Sequence, residues 1–139
     1  MARVHIPNEL RRLVTRRAAE RCEYCLLHQD DRPEAHQVDH VIALKHGGQT
    51  VSENLALACA LCNNAKGSDI ASIDPMTREV ALLYNPRAQR WQEHFQLVDL
   101  HIVGLTPTGR ATAALMQLND EQRLLDRQTL MAAGLYPPD

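Results

Sequence analysis

Apolar and polar positions alternate along this chain with periods that change from helical to extended and back, and those changes mark out its elements. After Pro7, whose fixed φ suits the first turn of a helix, Leu10, Leu13, Val14 and Ala18 recur on one helical face, which predicts a helix reaching about Ala19. Arg12 and Arg16 stand one turn apart on the opposite face. The stretch Leu26 to Pro33 is polar and turn-like. Ala35 to Ile42 reads as a strand running into a turn at Gly47-Gly48. A second strand is predicted over Leu55 to Ala58, and a short helix over Ala60 to Lys66, closed by Gly67.

Farther on, Asp74-Pro75 marks a turn before a strand at Val80 to Tyr84. Another strand falls within Leu97 to Leu105, around Ile102 and Val103. Two helices finish the chain, the first capped by Thr108 and running through Leu118. The second is capped by Asn119 or Asp120 and ended by Gly134. There is no internal repeat and no low-complexity tract.

Composition narrows the reading. At 139 residues the chain suits one domain with a single core, and with 4% aromatic residues that core must be mostly aliphatic. No apolar run approaches the ~20 residues that cross a bilayer, and the first residues lack the basic-then-apolar layout of a secretory signal. The expectation is a cytoplasmic protein. The net charge of −2 excludes a molecule coated in positive charge. Distribution matters more than the sum, and Arg3, Arg11, Arg12, Arg16, Arg17 and Arg21 crowd the first 21 residues against two glutamates.

Cysteine usage changes the picture further. Cys22-x-x-Cys25 and Cys59-x-x-Cys62 form two pairs separated by 33 residues. In a reducing compartment such pairs hold metal more readily than they form disulfides. Four thiolates satisfy tetrahedral zinc and leave no open position, so the site they predict is structural. Buried free thiols, a redox pair and two disulfides are the alternatives. The signal is strong for metal and weak for function, because zinc ribbons serve many proteins that do no chemistry.

Between and after the cysteine pairs lie Val38-Asp39-His40-Val41-Ile42, Gly47-Gly48, Glu53-Asn54-Leu55 and Asn63-Asn64-Ala65-Lys66-Gly67. Phosphodiester hydrolysis needs a deprotonated water, positive charge opposite the developing negative charge, and help for the leaving oxygen. Neutral histidine, with an ordinary pKa of ~6.5, can take a proton near neutral pH. Asp39 and Asn63 both offer hard oxygen ligands, which suit magnesium or manganese.

In these residues the sequence closely resembles the HNH endonuclease family. Its pattern places an Asp-His pair at the end of the first strand, an Asn in the loop and a His or Asn on the following helix. The matching positions are Asp39 and His40, Asn54, and Asn63, which makes this a His-Asn-Asn variant. The resemblance implies a ββα-metal core at about residues 20–70 and covers that core only; with the N-terminal helix read before it and the supporting strands and helices at 71–139, the expected fold is α+β. The resemblance also implies a metal-dependent endonuclease that cuts DNA and leaves 5′-phosphate and 3′-hydroxyl ends. His40 would be the general base. Asp39 and Asn63 would hold Mg2+ or Mn2+, and Cys22, Cys25, Cys59 and Cys62 would hold structural Zn2+. Asn54 would hold the loop and orient His40. Lys66 would contact phosphate, with Arg12 and Arg16 as further nucleic-acid contacts.

Other positions read as structural. Trp91-x-x-His94-Phe95 looks like a packing cluster, His36 and His46 like ordinary histidines, and Arg110 like a residue at a turn before a helix. The rival from another class is a non-catalytic zinc-ribbon module that binds nucleic acid or protein. A nuclease component whose specificity comes from a protein partner is also compatible with so short a chain.

Overall fold

Pro7 precedes α1 (Asn8–Arg17), the opening helix of a computed structural model that describes residues 5–139. Arg3 of the basic N-terminal run lies outside the described residues. The helix ends where Ala19 and Glu20 turn to positive φ and the chain enters the first cysteine pair. Val14 is the helix residue that buries completely. It packs with Ile6, Leu55 and Leu57 in a small apolar cluster that Leu10, Ala18 and Val38 border.

That cluster covers one face of a two-stranded antiparallel sheet, β1 (Gln37–His40) with β2 (Leu55–Ala58). The register pairs Val38 with Leu57 and His40 with Leu55, so these four share the α1 face, while Asp39 pairs with Ala56 on the other. Helix α2 (Ala60–Lys66) follows and contacts both strands. Its first turn is capped by the Cys59 sulfur, which accepts from the Cys62 amide.

The predicted strand Ala35 to Ile42 is shorter than expected at both ends. After His40 the ladder is taken over by Asn54, whose carbonyl accepts from the Val41 amide and whose side chain pairs with the Ile42 backbone. A side chain then replaces a strand, and no further extended residues are needed.

The region after α2 holds two further antiparallel hairpins, β3 (Ala71–Ile73) with β4 (Val80–Leu82) and β5 (Phe95–Val98) with β6 (His101–Gly104). Strand β3 escaped the sequence reading because it is three residues long and its hairpin leaves Ile73, Val80 and Leu82 exposed. The single strand expected around Ile102 is a hairpin, because Asp99 takes a positive φ of 52° and turns the chain without a glycine. Between the hairpins, α3 (Trp91–His94) presents Trp91, whose indole N–H donates to the Tyr24 carbonyl.

Helix α4 (Pro107–Leu115) is capped by Thr106 rather than Thr108, since Pro107 takes the first helical position and Thr106 accepts from the Gly109 amide. Helix α5 (Glu121–Ala132) is capped by Asp120. Asn119 is spent elsewhere: its carboxamide pairs with both backbone groups of Ile102, as Asn54 does with Ile42. Arg110 grips the buried Asp74 carboxylate through two bonds of 3.0 and 2.9 Å, tying α4 to the turn after β3. The larger core joins the two halves, packing the four cysteines and Tyr24 against Tyr84, Phe95, Ile102, Met116 and Leu118. Among the described residues no helix is long and apolar enough to cross a membrane.

Candidate active site and metal centre

The metal centre is built from two knuckles that repeat one local device. In each, the amide of the second cysteine points back at the sulfur of the first, Cys25 N to Cys22 Sγ at 3.5 Å and Cys62 N to Cys59 Sγ at 3.4 Å. The first knuckle is closed by Leu26 at φ 68°, with the Cys22 amide donating to the Leu27 carbonyl at 2.8 Å. All four sulfurs are buried and lie within 4.8 Å of one another, and Cys25 Sγ is 3.8 Å from Cys59 Sγ. Tetrahedral zinc with bonds of ~2.3 Å needs sulfurs about 3.8 Å apart. The cluster therefore fits a zinc site.

The first knuckle also covers an edge of the sheet. Glu23 gives its amide to the Leu57 carbonyl and accepts the Leu57 amide on its carboxylate, and Arg17 donates to the Leu55 carbonyl. The outer edge of β2 is thereby closed.

Along β1 the sheet borders a cleft of about 370 Å³. Val38, Asp39 and His40 line it from the strand, Ala43, Leu44 and Lys45 from the following loop, and Asn63, Gly67 and Ser68 from the end of α2. Asp39, His40 and Asn63 thus meet on one cavity although 23 residues separate the first from the last. Gly67 lies on its wall, and Gly48 closes the loop that follows β1. Gly67 leaves α2 at φ 53°, and a Cβ on Gly48 would sit 1.7 Å from the Ile42 carbonyl oxygen, so only glycine lets the loop close there.

His40 is held through Nε2, 2.9 Å from the Thr50 hydroxyl. Burial pushes its pKa below the ordinary value, opposed by the nearby Asp39 carboxylate and aided by the Lys66 ammonium. Both burial and Lys66 favour the neutral imidazole. Asn54 does not touch it. The Asn54 side chain accepts from the Ile42 amide and donates to the carbonyls of Ile42 and Gln49, all at 2.9 Å, so it pegs the loop that carries Thr50.

Asp39 and Lys66 depart most from expectation. Lys66, expected at a phosphate, is 2% exposed, and its ammonium lies 3.2 Å from Asp39 Oδ2, 3.4 Å from Oδ1 and 3.1 Å from the His40 carbonyl. Its four-carbon stem runs inward through the core. Asp39 is 5% exposed and also accepts from the Tyr24 hydroxyl at 3.0 Å. Burial raises its pKa and Lys66 pulls it back.

Asn63 donates to the Gln37 side chain and keeps its carboxamide oxygen for another partner. Asp39 and Asn63, both on the cleft wall, carry oxygens of the hard type that fits magnesium or manganese.

Arg12 and Arg16 are not brought to the cleft. They share an exposed surface of α1 with Glu9, Arg11 and Glu20. Of the histidines singled out beside His40, His36 lies against the Leu27 carbonyl and His46 against the Ser68 carbonyl. Sequence reasoning missed Thr50, Tyr24 and Lys45. Lys45 is the exposed cation on the cleft wall, and its place two residues before Gly47 was the available signal.

Residues 22–69 match the model of the HNH endonuclease family. This segment is an HNH domain. It spans both knuckles, the β1–β2 hairpin and α2, the elements that build the cleft, and leaves β3 through α5 outside the match. The HNH domain points to a nuclease family and to action on nucleic acid. No curated protein and no solved structure matches the chain.

Proposed function

We propose that the chain is an endonuclease that hydrolyses DNA phosphodiester bonds with His40 as general base and a divalent cation held by Asp39 and Asn63. The observation that supports this reading is the cleft that Asp39, His40 and Asn63 line together.

Nε2 of His40 is occupied by the Thr50 hydroxyl, and in the tautomer that carries its proton there Nδ1 keeps the free lone pair. A water against Nδ1 gives up its proton there, the resulting hydroxide attacks phosphorus, and the bond to the 3′ oxygen breaks. Asp39 and Asn63 would hold the magnesium or manganese ion, which would supply positive charge to the phosphate and to the leaving oxygen. Lys45, exposed on the same wall, contributes phosphate contact in the role first expected of Lys66. Lys66 and Tyr24 fix the Asp39 carboxylate from behind. Asn54 keeps the loop, and with it Thr50, in place.

The test is plasmid nicking in magnesium or manganese by the wild type and by His40→Ala. A loss of about 10²- to 10⁴-fold is expected for removal of a general base. Equal rates overturn the assignment.

One observation favours a second reading, a non-catalytic zinc module that binds nucleic acid or protein: Asp39 already has an ammonium and a phenol as partners. On that reading no metal-dependent cleavage occurs with double-stranded DNA, single-stranded DNA or RNA. If a protein partner delivers the specificity, cleavage is weak until that partner is added.

A further inference from the structure

The geometry points to Arg123 as an outer partner of the four-thiolate centre, a cationic hydrogen-bond donor to Cys62 through which α5 governs how firmly the metal is held. Four thiolates around Zn2+ leave a net charge of −2 in a buried pocket, where water does not screen it. Arg123 is 6% exposed, and its Nη1 and Nη2 each lie 3.4 Å from Cys62 Sγ. The guanidinium thus straddles one sulfur with two N–H groups and removes half of the excess charge.

The sulfurs that are second in their pairs, Cys25 and Cys62, are the two without a knuckle amide, and Arg123 reaches Cys62. Cys22 and Cys59, first in their pairs, each receive an amide from their own knuckle. Cys62 is second in its pair and has no such amide among the described residues, and its donor comes from 61 residues away. A thiolate that accepts hydrogen bonds is a weaker target for protons and competing ligands, so the metal leaves it more slowly.

Arg127, one turn farther along α5, supplies an internal contrast. It is equally buried, but its guanidinium is spent on the carbonyls of Leu100 and Leu118 and on Asn119 Oδ1, at 2.7, 2.7 and 2.9 Å. It docks the helix without touching sulfur. Arg32 is likewise paired, with Asp126.

The experiment uses the full zinc-loaded chain and follows zinc transfer to a chromogenic chelator. Outer partners of metal ligands typically change affinity by about 10- to 100-fold, so Arg123→Met is expected to release zinc at least about 10-fold faster than wild type. Arg123→Lys, which keeps the charge and loses the fork, should fall between them. Arg127→Met should release zinc at the wild-type rate below its own melting temperature. Equal release by Arg123→Met and wild type overturns the inference, as does release by Arg127→Met as fast as by Arg123→Met. If Arg123→Met does not fold, cobalt substitution decides: the sulfur-to-cobalt charge-transfer band should shift in Arg123→Lys and stay in place in Arg127→Lys. An unshifted band in Arg123→Lys overturns it too.

Discussion

The thiolate cluster and the cleft beside β1 share helix α2, yet they are built in opposite ways. The cluster takes four identical ligands from two copies of one knuckle, encloses them and leaves no coordination position open. The cleft takes one carboxylate, one imidazole and one carboxamide from a strand end and a helix, and Lys45 and Ser68 complete its wall. The first arrangement suits holding a metal for the lifetime of the fold. The second suits a site that admits a phosphate, and its charge is balanced from behind by Lys66 so that its front remains free.

Breaking the cluster should have the largest effect. Structural zinc contributes roughly 10–16 kcal/mol in small zinc domains, which equals or exceeds the about 5–15 kcal/mol stability of a typical domain. Cys22→Ser, or chelation of the wild type, is therefore expected to abolish the cooperative thermal transition seen by circular dichroism, with zinc lost on the same sample. A sharp transition at the wild-type temperature would mean that the cluster is not what holds the fold.

Disturbing the balance behind the cleft comes next. Lys66→Met leaves the Asp39 carboxylate buried beside Tyr24 without its cation, and breaking such a pair costs about 3–5 kcal/mol. Adding Asp39→Asn should return most of that loss in a urea titration. Additive losses in the double variant would show the two side chains to be independent.

A smaller effect sharpens the account of the cleft itself. Thr50→Val removes the hydroxyl that holds His40 Nε2. One hydrogen bond is worth about 0.5–1.5 kcal/mol net, so nicking is expected to fall roughly 2- to 10-fold with the melting temperature little changed. Thr50→Ser should recover it, and a rate in Thr50→Val matching the wild type would remove Thr50 from the account.

The mildest test reaches the region outside the HNH match. Arg110, the Met76 amide and the Thr77 hydroxyl hold the Asp74 carboxyl well below the usual carboxylate range. Because its folded pKa is depressed, the stability it contributes is complete above the unfolded value of ~3.9. It is lost as pH falls from there toward the folded value. Asp74→Asn should melt lower than wild type at pH 7, and the gap should narrow below pH 4. A gap that stays constant with pH would assign Asp74 no electrostatic part.

Legibility in the sequence followed the range of each interaction. The cysteine knuckles, β2, α2 and its Gly67 stop depend on neighbours a few residues away, and their positions were readable from spacing and turn chemistry. Strand β3 was not, because it is three residues long and leaves Ile73 exposed, whereas its partner β4 falls within the strand expected at Val80 to Tyr84. Asn119 could be read only as a cap, because its actual partner, Ile102, belongs to a distant strand.

By itself, then, the order of residues determined an α+β chain with a four-thiolate centre and an Asp-His pair ending a strand before a short helix. Only the tertiary structure decided that Lys66 turns inward to Asp39, that Thr50 rather than Asn54 meets His40, and that Arg123 reaches Cys62. The reason is physical. Ligand spacing is set by short stretches of backbone, whereas a long flexible side chain goes wherever burial leaves an opposite charge unpaired, and that place exists only after distant segments have packed.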